Sequence, residues 1–297
     1  MSSKIREWLS RHKYLMLNAW GQRKNPVQVF STAETLERLR EQKCSLSRFG
    51  DGEFDLIFGN DLKFQKYDEK LANKLRKILL LEEGAGTCKV AIPRVFASLK
   101  GMTCASKAFW SVYLVDHREK ICGLLNPAYC YFDAQVTRIY VNRKNKSDAA
   151  KYFRQWKEVW CGEDILLVEG KNSRFGVGND LFAEAKSVER ILCPACNAFD
   201  YYDEILDTVT KKGINKLVLL VLGPTATALA YDLSCRGIWA IDSGNLDMEY
   251  EWSKIHAKKQ VAIKGKYTHE ADRGTHVSAV SDKSYEDQVM VRIGVLD

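Results

Sequence analysis

Short apolar runs alternate with segments of helical period along most of this 297-residue chain, and that alternation narrows the folds open to it. Lys43–Phe49, Val90–Val95, Asp164–Val168, Val188–Cys193, Lys216–Leu222 and Ile238–Ile241 read as strands, Ala128–Asp133 as an extended piece, and Val27–Ser31 as a partner for the strand that follows it. Ala33–Gln42, Asp68–Leu81, Ser106–Leu125, Lys146–Trp160, Asp200–Lys212 and Thr225–Arg236 read as helices, with Leu71, Leu75, Ile78 and Leu79 at helical spacing. Strands apolar at consecutive positions, as in Ile165-Leu-Leu-Val168, need cover on both faces. With helices between them they predict an α/β fold: a Rossmann-like, largely parallel sheet with helices on both faces. At 46% hydrophobic residues the chain can fill a core. Neither a repeat nor a low-complexity linker divides it, so 31–297 is expected to form one domain behind a basic amphipathic segment, 1–30.

The first chemical signal stands at the end of the first strand, in Cys44-Ser-Leu-Ser-Arg-Phe-Gly-Asp-Gly-Glu53. Ligands of α/β sheets bind at such strand ends. Gly50 and Gly52 permit close backbone approach, which lets Asp51 and Glu53 converge on one hard cation, Mn2+ or Mg2+. A cation of this kind takes one or two carboxylates and completes its shell with water and phosphate oxygens, so a phosphorylated co-ligand is implied. Arg48 offers a bidentate phosphate contact. Taken alone, the tripeptide more often serves as an acidic turn in which Asp51 caps the next helix.

Three later blocks carry related chemistry. Glu169-Gly-Lys-Asn-Ser-Arg-Phe-Gly-Val-Gly-Asn-Asp180 leaves an apolar strand and enters a glycine-rich loop whose amides suit anionic oxygens. Ser173 and Arg174, with Gly176 and Gly178 beside them, fit a diphosphate; Asn179 fits a ribose or sugar hydroxyl. Asp180 fits the cap of a helix opening at Leu181-Phe182, and Glu169 stands at the strand end. In Gly223-Pro-Thr-Ala-Thr227 a proline in the first turn and Thr225 as cap leave free amides at a positive helix end; an ordinary strand-to-helix turn has the same look. Asp242, at the end of the next strand, imitates the ribose-binding acid of a Rossmann unit, which keeps an S-adenosylmethionine-dependent methyltransferase or other nucleotide-binding enzyme open as the alternative. Against it, Thr225 and Ala228 stand where further glycines belong. In Ala240–Trp252 either Asp247 or Glu249 can serve as a general base. If a helix starts there, Asp247 and Glu251 share a face and Glu249 points elsewhere.

Arg48-Phe-Gly-Asp-Gly-Glu53, Glu169-Gly-x-x-Ser-Arg-x-Gly-x-Gly-Asn-Asp180, Gly223-Pro-Thr-Ala-Thr227 and Asp242-x-Gly-x-x-Asp-x-Glu-Tyr250, in this order, together resemble the bacterial glycosyltransferases of the GT-D fold. The resemblance implies a GT-D type fold and an enzyme that moves a hexose, glucose from UDP-glucose, onto a hydroxyl of a growing glycan. It implies a metal-linked Asp-x-Glu motif, here Asp51 and Glu53. The partners it implies are a nucleotide sugar and a surface-glycan acceptor, lipid-linked or on a protein.

The net charge of +7 is unevenly placed. Residues 1–30 carry Lys4, Arg6, Arg11, Lys13, Arg23 and Lys24 against Glu7, interleaved with Trp8, Leu9, Tyr14, Leu15, Leu17 and Trp20; 253–266 adds lysines without an acid. A helix of this composition either lies on an anionic membrane surface or packs on its own domain with a solvated basic face. No nucleic-acid recognition motif is present, so nucleic acid is not an expected partner. Without a long apolar span or a signal peptide, the expected location is the cytoplasm, with peripheral contact at the inner face of the membrane if the basic helix binds lipid. Nine scattered cysteines fit reduced thiols, and Cys193-Pro-Ala-Cys196 is expected in a loop after a strand, without chemistry. The segments 96–150 and 253–297 hold no readable motif.

Overall fold

The computed structural model describes residues 3–80, 88–277 and 282–295, with residues 3–11 as backbone alone. Its strands are β1 (Ser45–Arg48), β2 (Cys88–Ile92), β3 (Phe132–Asp133), β4 (Asp164–Gly170), β5 (Ser187–Cys193), β6 (Leu217–Val221), β7 (Ala240–Asp242) and β8 (Val289–Arg292). They form one sheet in the order β3-β2-β1-β7-β6-β4-β5-β8, parallel at every pairing. All carboxyl ends therefore open on the same edge.

The helices are α1 (Ser3–Lys24), α2 (Thr32–Gln42), α3 (Asp51–Ile57), α4 (Glu69–Leu80), α5 (Cys104–Cys122), α6 (Ala149–Trp160), α7 (Tyr202–Lys212), α8 (Pro224–Cys235), α9 (Leu246–Lys254) and α10 (Lys283–Gln288). The period-two alternation of each strand divides the core between two faces. Leu166, Val168, Val218 and Leu220 pack with residues of α3, α4, α5, α7 and α8, whereas Ile165, Leu167, Leu217 and Leu219 pack with residues of α2, α6 and α9. The continuous apolar runs thus report what they predicted: strands covered on both sides.

Elements fall within a few residues of expectation, with three differences. Val27–Ser31 adds only a single bridge, Val29 to Tyr131, because the chain enters α2 at once through the Ser31 cap and its Glu34 partner. No helix opens at Leu181-Phe182; the chain turns, and Asp180 instead accepts from Lys157, Tyr250 and Lys254. The last helix and strand, α10 and β8, arise in the unread tail. The expected end of α4, Leu81, lies outside the described residues.

α1 packs on α5, where Lys24 pairs with Glu119 and Arg118 lies close to Gly21, and on the turn after β2, where Gln22 donates to the Val95 carbonyl. Met16, Leu17 and Trp20 on the same helix stay exposed. Among the described residues no helix is long and apolar enough to cross a membrane. None of the nine cysteines is joined in a disulfide; Cys193 is the buried last residue of β5, and Pro194 and Ala195 follow it in the loop.

A cavity at the carboxyl edge of the sheet

The carboxyl ends of β1, β4, β5, β6 and β7 open into one cavity of about 770 Å³. At its centre is the turn after β1. Gly50 is the N-cap of α3, Asp51 its first residue, and Glu53 folds back so that Oε2 accepts the Gly50 amide at 2.6 Å. Asp51 is therefore not the cap; its place in the first turn leaves the carboxylate without a hydrogen bond from any described residue. Burial, and next the nearby Asp242, push the Glu53 carboxyl up to about 7.

Arg48 occupies a different position from the one expected of a phosphate ligand. Nε donates to the Asp242 carbonyl at 2.7 Å, Nη2 to Asp242 Oδ1 at 2.7 Å, and Nη1 to the Ala134 carbonyl at 3.1 Å and to Thr137 Oγ1 at 2.8 Å. With its side chain only 13% exposed, Arg48 is a clamp joining β1, β7 and the 3₁₀ turn Ala134–Thr137. Gly244 is needed beside it, since a β-carbon there would lie 2.0 Å from Arg48 Nη2. Asp242 also accepts from the Gly244 amide and from Thr227 Oγ1. Both its oxygens are taken, which leaves the Rossmann alternative without a free ribose acid.

The second block divides. Ser173 lines the cavity, but Glu169 is fully buried: Oε1 meets Arg190 Nη1 at 2.5 Å and Oε2 accepts the Phe175 amide at 2.8 Å. Burial raises its carboxyl and Arg190 opposes the rise. Arg174 donates to the Gly265 carbonyl and does not reach the cavity. Gly176 and Gly178 border a separate, smaller pocket next to α10. Asn179 does not line the main cavity; its Nδ2 donates to Asp247 Oδ1 at 2.7 Å and to Glu251 Oε1 at 2.6 Å.

Gly223 lines the cavity and is itself the N-cap of α8 with φ +56°. A β-carbon there would meet the Phe64 ring at 2.7 Å. Thr225 does not cap; it is fully buried inside the first turn. In α9, Asp247 and Glu251 do share a face: Lys266 Nζ reaches Asp247 Oδ2 at 2.6 Å and Glu251 Oε1 at 3.1 Å. Asp247 is at the cavity wall, and burial raises its carboxyl. Glu249 points the other way, with Oε2 held by the amides of Tyr140 and Val141 at 2.6 and 2.9 Å, and it lines no part of the cavity. That buried position removes it as a base for a substrate in the cavity.

Several wall residues come from outside the four blocks. Phe64 and His269 stack at 5.1 Å, and Tyr267 packs edge-on to His269. Arg138 pairs with Glu270 at 2.6 Å; Asn245 also donates to Glu270, whose Oε2 is buried without a partner among the described residues. Loop residues of this kind have no period, so nothing in the sequence marks them.

Among the described residues no group of three or more His, Cys, Asp or Glu encloses a metal ion. The donor set at α3 nevertheless suits a hard cation shared with a ligand: one unpaired carboxylate, Asp51, and a second, Glu53, crowded by the negative charge of Asp242.

A family model described as the glycosyltransferase GT-D fold matches residues 46–271. The chain is 34% identical over 267 residues to a probable glycosyl transferase, Gly, of Streptococcus gordonii, and 36% identical over 267 residues to glycosyltransferase GlyD of Streptococcus pneumoniae serotype 4. Each match takes in 90% of this chain, which spans 39% and 33% of those two proteins. A solved structure, described as the highly conserved domain of unknown function 1792 with a distinct glycosyltransferase fold, superposes with a TM-score of 0.87 at 36% identity, covering 93% of this chain and 99% of that one. A second, described as a new glycosyltransferase from Streptococcus sanguinis, superposes at 0.85 and 34% identity, covering 90% of this chain and 100% of that one. With its sheet, its four blocks and these matches in agreement, the chain belongs to the glycosyltransferase family of the GT-D fold.

Proposed function

We propose that the cavity transfers a hexose, glucose from UDP-glucose, to a hydroxyl of a bacterial surface glycan, on a protein or on a lipid-linked oligosaccharide. The observation that carries this reading is the convergence of Asp51, Glu53, Ser173, Gly223 and Asp247, from four separated blocks, on one cavity at the carboxyl edge of a parallel sheet. Asp51 and Glu53 hold Mn2+ or Mg2+, which supplies charge stabilisation to the departing diphosphate. Gly50 and Gly52, on either side of Asp51, line the same cavity. Phe64, over the Gly223 turn and stacked on His269, offers an aromatic face to the nucleotide base. The acceptor proton passes to a carboxylate of the wall. Asp247 has both oxygens engaged by Lys266 and Asn179, whereas Glu270 Oε2 has no partner among the described residues.

Hydrolysis of a panel of nucleotide sugars, with and without Mn2+, tests donor, metal and reaction class together. UDP release from UDP-glucose that requires the cation is the expected result; no release from any sugar nucleotide overturns the reading. The basic α1, with Trp20 and Met16 exposed, is consistent in this reading with peripheral contact at the inner face of the cell membrane.

A further inference from the structure

We propose that Phe109 is a sugar-stacking platform at the mouth of the cavity, the place where the terminal ring of the acceptor lies; as an acceptor site it rests on the glycosyltransferase reading above. α5 carries a ladder of rings at helical spacing. Phe109 stacks on Tyr113 with centroids 6.0 Å apart and planes 19° apart, and Tyr113 packs on His117 at 4.6 Å. His117 in turn stacks on Phe58, which follows α3, at 5.8 Å. The lower rungs thus end against α3. The top rung has Trp110 edge-on at its side and is otherwise open: Phe109 is 49% exposed although it lines the cavity.

The ladder is tied to the chemistry. Tyr113 Oη donates to the Asp51 carbonyl at 3.2 Å and to Asp55 Oδ1 at 3.1 Å, so the ring beneath Phe109 is bonded to the residue that opens α3 and carries the first carboxylate. Polar partners of the kind a sugar needs stand beside the ring. Thr103 Oγ1 donates to Ser106 Oγ and Ser106 Oγ to Asn142 Oδ1, at 2.9 and 3.1 Å. This relay fixes the Asn142 amide and leaves its Nδ2 hydrogens unclaimed by the described residues, at the same cavity wall. An apolar ring face and a fixed amide donor lining the same cavity match a pyranose, which has an apolar C–H face and a rim of hydroxyls.

Topology separates this end from the donor's. α5 follows β2 on one side of β1, whereas Gly223 and Ser173 follow β6 and β4 on the other side. Asp51 and Glu53 stand between. A donor lying across β6 and β4 with its diphosphate at α3 presents its sugar toward α5.

The test is saturation-transfer NMR with the methyl glycosides of glucose, galactose and N-acetylglucosamine as probes, on the full chain and on Phe109→Ala, Phe109→Trp and Asn142→Ala, with the thermal shift by UDP plus Mn2+ as control. Phe109→Ala is expected to weaken glycoside binding about five- to tenfold and Phe109→Trp to restore it. Asn142→Ala is expected to weaken binding severalfold, and the UDP shift to stay as in the parent. No glycoside signal from the parent, binding indifferent to Phe109→Ala, or a parallel loss of the UDP shift would each overturn the platform. Glycoside binding that depends on Phe109 in a protein that binds no nucleotide would sustain the platform and remove the glycosyltransferase reading, so the two fail separately.

Discussion

After β1 and again after β4 the chain runs from a strand into glycines and acids: Arg48-Phe-Gly-Asp-Gly-Glu53 in one place, Glu169-Gly-Lys-Asn-Ser-Arg in the other. The two turns use their charges in opposite ways. After β4 the acid is the last but one residue of the strand, sealed inside and neutralised by Arg190, with the Phe175 amide completing its shell. After β1 the arginine is the residue inside, clamped on Asp242, and the acids follow it onto α3 where the cavity begins. A carboxylate whose oxygens are all answered by the protein serves the fold; one left unanswered at a strand end is available to a ligand.

The largest expected effect breaks the comparison on the side of the cavity. Asp51→Asn keeps the shape of the side chain and removes the charge that binds the cation. Transfer is expected to fall by about 10³ or more, roughly 4 kcal/mol of barrier, with the melting temperature close to that of the parent. Glu53→Gln is expected to lose activity as well, with the fold retained because the amide oxygen of Gln can still accept from Gly50. UDP release and thermal unfolding, measured together, check both variants. Transfer at the parent rate in Asp51→Asn would remove the cation from the mechanism.

The next effect falls on stability. Glu169→Ala strands the Arg190 guanidinium, 3% exposed, beside the Phe175 carbonyl. Removing one partner of a buried pair costs about 3–5 kcal/mol, a drop of roughly 10 °C in melting temperature. Arg190 also holds Gln288 through Nε and lies against Tyr285, so α10 and β8 should loosen first. Hydrogen exchange at 283–292 reads this directly. Activity per folded molecule is expected to change only a few-fold; a collapse of turnover without loss of stability would place Glu169 with the cavity acids.

How far the sequence reveals this division depends on distance along the chain. The sheet was legible because each strand states its own burial: Ile165 and Leu167 face one core, Leu166 and Val168 the other. β8, with alternately exposed Met290 and Arg292, makes no such statement, and it docks on β5 from the far end of the chain. Asp51 and Glu53 were legible because glycine spacing and the strand end are local. Arg48 was not, since its clamp needs Asp242 and Thr137, both far from it along the chain. The face shared by Asp247 and Glu251 followed from helical spacing alone, yet nothing local foretold that Lys266 would occupy it. Phe64, Arg138, His269 and Glu270 meet only through loops, where no period relates one side chain to the next.

The smallest effect concerns Glu249, which sits on the same helix as Asp247 but is buried away from the cavity, with Oε2 held by two amides and Oε1 without a partner among the described residues. Burial pushes its carboxyl up to about 7 from an ordinary 4.5, against the pull of the Val141 and Tyr140 amides and of Arg138. Between these values the folded chain keeps a proton that the unfolded chain has released, so this group's contribution to stability is complete below 4.5 and is lost as pH rises through about 7. Glu249→Gln retains an oxygen for the two amides and carries no titrating charge. It is expected to flatten the decline in stability between pH 5 and 8 by about 2–3 kcal/mol, read by urea unfolding at each pH, with transfer changed only a few-fold. Glu53 titrates in the same window in both proteins, so the difference between them isolates Glu249. An unchanged slope would mean that the two amides and Arg138 already hold the charge, and a large loss of transfer would return Glu249 to the site from which its burial excludes it.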